Sequence, residues 1–261
     1  MKLVRDAYEK LNKKTTVALG CFDGVHIAHA RVISEAVETA RKNGTSALVW
    51  CFAEPPKNAF LTTPVPLITG FEEKARHIEA LGADILVCPD FTREIAAVGA
   101  REFVREILCS ASGAVHLVSG RNYSFGRGGE GNSALLGEIC AELGVGYTVV
   151  EDISVGGIGV SSTEIRRAVS EGKLEYASLF LGRSFSLSLR RDESGENVFS
   201  VDKNHLTPPA REYRCLVRFD SSAEEVTALL SINQDKTTVT LNPMPNNTPE
   251  RFTLEFPYDK A

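Results

Sequence analysis

The sequence predicts an α/β domain built on a parallel sheet, followed by a small antiparallel β domain. Three observations carry that expectation. From Thr15 to about Arg183, short apolar runs alternate with longer stretches of helical periodicity, the pattern of strand–helix–strand units with helices on both sheet faces. After Gly182-Arg183 the helical stretches give way to short alternating runs separated by turn residues. A content of 43% hydrophobic and 24% charged residues over 261 positions suits one large core or two smaller ones. The domains are placed accordingly at 1–183 and 184–261, the second being barrel-like.

Taken in order, Val17–Cys21 is a strand and Ala28–Lys42 a helix stopped before Asn43-Gly44. Ser46–Phe52 is a continuous apolar run of buried-strand type. Phe71–Leu81 is a helix closed by Gly82, and Asp84–Val87 a strand. Ala100–Cys109 is helical, Val115–Ser119 a strand, and Ser133–Leu143 a helix stopped by Gly144. Tyr147–Val150 is a strand, and Ser162–Glu171 a helix ending at Gly172. In the second domain Phe185–Leu189, Tyr213–Phe219, Thr237–Leu241 and Arg251–Phe256 are strands. Turns are expected over Asp192–Asn197, Thr207–Ala210 and Asn242–Pro249.

The formal net charge is −5 and no block of five basic residues occurs, which argues against nucleic acid and anionic membrane as partners. No apolar run reaches the length of a membrane span, and Met1–Asp6 lacks an apolar signal core, so the cytoplasm is the expected compartment. The cysteines at 21, 51, 88, 109, 140 and 215 form no CxxC pair. They are expected to be buried free thiols, with no protein-held metal. His77, His116 and His205 fall within a helix, a strand and the terminal domain, and are expected to be structural.

Three segments carry chemistry. In the first, the strand Val17–Cys21 runs into Phe22-Asp23-Gly24-Val25-His26-Ile27-Ala28-His29. Gly20 and Gly24 allow a sharp turn at the carboxyl end of a strand, the edge where open α/β sheets bind ligands. A helix starting there offers free N–H groups to phosphate. His26 and His29, three apart, share one helix face and can donate to a polyphosphate in the transition state. By itself HxxH also fits a pair of structural histidines.

The second segment is Gly156-Gly-Ile-Gly-Val-Ser161-Ser162-Thr163-Glu164-Ile165-Arg166, a glycine-rich stretch entering a helix. Ser161 and Glu164 have capping-box spacing. Ser162 and Thr163 add hydroxyls, and Arg166 places a cation where the helix dipole disfavours one, which a bound phosphate would reverse. The third is Ser119-Gly120-Arg121-Asn122-Tyr123-Ser124-Phe125-Gly126, beyond the strand Val115–Ser119. Asn122 suits a base edge or ring amide, and Tyr123 and Phe125 an aromatic ring. Phe52 is placed either in the core or lining a pocket.

In this order the three segments resemble the bacterial bifunctional riboflavin kinase/FMN adenylyltransferase (FAD synthetase) family. The resemblance spans roughly 15–185 and takes in Thr69–Lys74, Ile78–Asp84, Glu102-Phe103-Val104 and Leu181-Gly-Arg-Ser-Phe185. It implies a Rossmann-like HxGH nucleotidyltransferase domain making FAD and pyrophosphate from ATP and FMN with Mg²⁺. Carried over, His26 and His29 would hold the ATP phosphates, and Ser162, Thr163 and Arg166 the β/γ end, with His26, His29 and Arg166 as the catalytic set. Gly20, Phe22, Asp23 and Gly24 would shape the adenylate site. Asn122, Phe125 and Phe52 would face the flavin.

The chain departs from the family pattern in four places. Ala28 stands where the family usually has Gly, and Cys21 where Asn is common. Phe52-Ala53-Glu54-Pro55-Pro56 replaces Phe-Asp-Pro-His-Pro. No Pro-Thr-Ala-Asn motif, which serves the kinase domain in binding Mg-ATP, occurs in 184–261. Riboflavin kinase activity is therefore expected to be lost. Two other readings remain: a transferase with another phosphorylated acceptor, and a flavin- and ATP-binding regulatory protein without turnover.

Overall fold

The computed structural model describes residues 1–191, 198–201, 204–219, 222–232, 238–242 and 250–257. These group into two compact units, one of residues 1–63 and 71–153, the other of 64–70 and 154–261.

The first unit is a six-stranded, fully parallel sheet in the order β1-β4-β3-β2-β5-β6. Its strands are β1 (Lys2–Val4), β2 (Thr15–Leu19), β3 (Ser46–Trp50), β4 (Ile85–Val87), β5 (Ala114–Gly120) and β6 (Gly146–Val150). The central β2 is buried at every position, as a strand covered on both faces must be. One face is covered by α1 (Ile27–Asn43) and α2 (Phe71–Ala80), with Val32, Ile33, Ala36 and Ile78 in its core. The other face is covered by α4 (Ala100–Glu102), its π-helical continuation Phe103–Ala111, and α5 (Ser133–Leu143). Phe103, Val104, Ile107, Leu108, Leu136 and Ile139 fill that side. The short α3 (Arg93–Ala97) precedes α4 and is capped by the Thr92 hydroxyl. From β2 the chain moves outward one way through β3 and β4, then returns to place β5 on the other side of β2. The reversal creates a topological switch point between the carboxyl ends of β2 and β5.

The second unit opens with a hairpin, β7 (Ser154–Val155) and β8 (Ile158–Gly159), followed by α6 (Ser162–Ser170) and α7 (Leu174–Leu181). Six antiparallel strands then close into a barrel in the order β10-β13-β12-β11-β14-β9. They are β9 (Ser186–Arg191), β10 (Val198–Val201), β11 (Glu212–Phe219), β12 (Ser222–Ile232), β13 (Thr238–Asn242) and β14 (Arg251–Glu255). Ile165, Val169, Phe180 and Leu181 share one core with Phe185, Leu187, Phe199 and Leu254, so the two helices pack with the barrel. The change from helix to strand does fall after Gly182, as the sequence predicts, but the compact units divide near 153 and not at 183. The segment 64–70 joins this unit because Leu67 pairs with the chain at 204–206, donating to the Asn204 carbonyl at 2.6 Å and accepting from Leu206 at 2.8 Å.

The expected turns over Asp192–Asn197 and 243–249 lie outside the described residues. Among the described residues no helix is long and apolar enough to cross a membrane. All six cysteines are free thiols, Cys21 and Cys109 being partly exposed and the other four buried.

Candidate active site

β2 ends at Leu19, and the chain turns over Gly20–Val25 into α1. Phe22 and Val25 take φ of 53° and 38°, and Gly24 of 84°. Positive φ at two non-glycine residues costs free energy that the packing around the turn must repay. Phe22 is fully buried, its ring edge-to-face with His29 at 5.3 Å. A Cβ on Gly20 would stand 2.7 Å from Phe22 Cε1, so the glycine makes room for that ring. Asp23 and His26 are also buried.

His26 is the N-cap of α1, with its Nδ1 accepting from the His29 backbone N–H at 3.2 Å. An accepting Nδ1 fixes the neutral tautomer with its proton on Nε2, leaving Nε2–H as a donor. The His26 and His29 rings stack at 3.5 Å with planes 13° apart. Two imidazoles are thus held side by side at a helix N-terminus, at the mouth of the switch point.

The loop after β5 leaves the sheet next to the β2 end. Phe125 pairs with Gly131 across this loop and is buried in the core, stacked on Tyr123 at 5.5 Å. Burial pushes the Tyr123 phenol well above its usual range, so it stays protonated. Asn122 is exposed and faces Asp152, its Nδ2 3.4 Å from both carboxylate oxygens. Phe52, just past β3, is partly buried between Trp50 and Phe91, edge-to-face with each at 4.9 Å.

Sequence reasoning gave no role to Lys74. It lies on α2 with no exposed surface, and its Nζ donates to the carbonyls of Cys21 at 3.3 Å, Phe52 at 3.0 Å and Ala53 at 2.9 Å. Nearby, a hydrogen bond to Cys88 together with burial pushes the Cys51 thiol well up.

In the second unit, Ser161 caps α6 with its hydroxyl accepting from the Glu164 N–H at 3.2 Å. Ser162 and Thr163 open the helix, and Arg166 donates from Nε to the Pro66 carbonyl at 2.8 Å. The cation that the sequence assigns to a phosphate is therefore already held by the protein at its Nε. Gly156 and Gly157, at φ 59° and 79°, form the two-residue turn of the β7–β8 hairpin, which requires positive φ at both positions.

Residues 8–164 match the FAD synthetase family. The chain belongs to that family. The bifunctional riboflavin kinase/FMN adenylyltransferase of Escherichia coli K12 is 31% identical over 205 residues, 76% of this chain and 66% of that protein. Its counterpart in Listeria monocytogenes is 30% identical over 246 residues, 90% of this chain and 76% of that protein. The match thus spans about two thirds of the E. coli relative's length. Among solved structures, a macrolide-efflux protein from Streptococcus pneumoniae shares the fold with a TM-score of 0.82 at 20% identity, covering 97% of this chain and 88% of that one.

In this FAD synthetase family member, Gly20, Phe22, Asp23 and Gly24 lie in the turn after β2, His26 caps α1, and His29 lies in the first turn of that helix. Ala28 lies inside α1 without positive φ, so its methyl group imposes no backbone strain. Asn122 stands exposed beyond the neighbouring β5 end, whereas Phe125 is buried with its ring stacked on Tyr123. Among the described residues no three His, Cys, Asp or Glu side chains cluster to hold a metal ion.

Proposed function

We propose that this protein is an FMN adenylyltransferase, converting ATP and FMN to FAD and pyrophosphate. The observation that carries the reading is the stacked pair His26 and His29 at the N-terminus of α1, where β2 meets the switch point. Membership of the FAD synthetase family and the names of its relatives supply the acceptor.

In this reading the N-terminus of α1 and the His26 Nε2–H receive the triphosphate, and His29 donates beside it. The developing charge at the α-phosphorus is met by donors already in place, so little reorganisation is needed as the barrier is crossed. The FMN phosphate attacks directly, its P–O bond forming as the bond to pyrophosphate breaks, and no protein nucleophile is required. Mg²⁺ enters as the metal of Mg-ATP. Gly20, Phe22, Asp23 and Gly24 shape the adenylate side, while Asn122 and Phe52 take the flavin side, with Phe125 supporting Tyr123 from beneath. Ser162 and Thr163 at the start of α6, with Arg166 one turn on, offer donors of the kind a triphosphate takes. Riboflavin phosphorylation is lost, since 184–261 carries no Pro-Thr-Ala-Asn motif.

The test is incubation with Mg-ATP and FMN, following FAD by chromatography. FAD that appears with wild type and not with His29→Ala supports the reading. Binding of both substrates with no product would replace it with a sensing role. FMN formed from riboflavin would refute the loss of kinase activity.

A further inference from the structure

We infer that Lys74 is a positioning residue for the nucleotide site, acting as a tethered monovalent cation that fixes the turn carrying His26 and His29; this rests on the reading of that turn as the ATP site. The ladder between β2 and β3 ends at the pair Leu19–Trp50. Beyond it one chain enters the strained Phe22 turn and the other the Phe52 loop. The Lys74 ammonium ties the two segments together by donating to the carbonyls of Cys21, Phe52 and Ala53. An ammonium has three donors, so the tripod satisfies it completely.

Burying a charge is unfavourable unless it is paired or hydrogen-bonded, and the hydrogen bonds of the buried Lys74 Nζ go to carbonyls. Three carbonyl dipoles hold the charge in place without neutralising it. The turn's geometry is therefore set by a cation, and a positive charge remains beneath the surface where a triphosphate would sit. Arginine is too wide for this tripod. Glutamine has the reach for only part of it and carries no charge.

The experiment compares Lys74→Ala, Lys74→Met and Lys74→Gln with wild type, well below each melting temperature. Three readouts are used: FAD formation, ATP affinity by calorimetry, and the labelling rate of the Cys21 thiol, identified by its loss in Cys21→Ser. All three variants should lose at least tenfold in kcat/KM for ATP and in ATP affinity, and label faster at Cys21. Ammonium or methylammonium should restore Lys74→Ala saturably, leaving wild type and Lys74→Met unchanged, because methionine fills the space.

Wild-type kinetics and labelling in Lys74→Met or Lys74→Gln would overturn the inference. So would a Lys74→Ala whose melting temperature recovers with ammonium while ATP affinity and Cys21 labelling do not. Should Lys74→Ala fail to fold, Lys74→Gln decides by the first criterion. Failure of wild type to make FAD would count against the proposed reaction alone, because ATP affinity and Cys21 labelling still read the positioning role.

Discussion

His26 and His29 lie ring on ring, centroids 3.5 Å apart, and the same His26 that stacks also caps the helix by accepting from the His29 N–H. One side chain therefore does two jobs through two nitrogens. Nδ1 accepts from a first-turn N–H of the helix, and the tautomer this imposes places the remaining ring proton on Nε2.

The two jobs separate by substitution. Asparagine is a good N-cap, so His26→Asn should keep the stability of α1 within about 0.5 kcal/mol, while His26→Ala should lose about 1 kcal/mol with the cap. Both should lower FAD formation by about 10²- to 10³-fold, the usual cost of removing one transition-state donor. Chemical denaturation measures the first effect and steady-state kinetics the second. Equal stability of the two variants would show that the cap is not made through Nδ1.

Ala28 gives the second prediction. It is the second residue of α1, where alanine is a better helix former than the glycine usual in the family. Ala28→Gly should destabilise the protein by up to about 1 kcal/mol. It should also lower KM for ATP, because the methyl group beside the two histidines is gone. An unchanged KM would mean that the triphosphate already clears the methyl.

The residues of the first turn were legible because they are contiguous: a strand, two glycines and two histidines appear in the order in which the fold uses them. The parallel sheet was legible from its alternation, though β1 was too short to register, and β12 and α7 went unread. The sequence reads Ala100–Cys109 as helical, and nothing in its residues marks the π-helical pairing over Phe103–Ala111, which rare single segments adopt. Lys74 could not be found. Within Glu72-Glu73-Lys74-Ala75-Arg76 it looks like solvent-facing charge, and its partners at 21, 52 and 53 are brought to it only by the fold.

His116 supplies a pH dependence. It sits on β5, with Nε2 2.9 Å from the Thr148 hydroxyl, and burial holds its pKa below the usual value of 6.5. Below pH 6.5 the unfolded chain takes up a proton that the folded chain resists, so unfolding is favoured as the pH drops. The contribution is fully present above that value and is lost on falling through the folded pKa. His116→Gln should therefore show a shallower decline of stability than wild type in urea titrations between about pH 7 and 5. Parallel curves would assign the acid sensitivity to other groups.

Gly20 offers the sharpest link between packing and binding. Its φ is not in the left-handed region, so alanine is acceptable to the backbone, and only space forbids it. The new methyl carbon would meet Phe22 at 2.7 and 2.8 Å, and that ring cannot withdraw because it is fully buried and edge-on to His29. The strain must therefore pass into the turn. Gly20→Ala should cost about 1–3 kcal/mol of stability, the range for overpacking a core. It should also weaken ATP binding through displacement of His29. Pairing it with Phe22→Leu, which removes the ring, should restore much of the stability while leaving ATP affinity low, because His29 then loses its edge contact. If Phe22→Leu restored both, the ring would be only a filler and His29 would hold its place through its stack on His26.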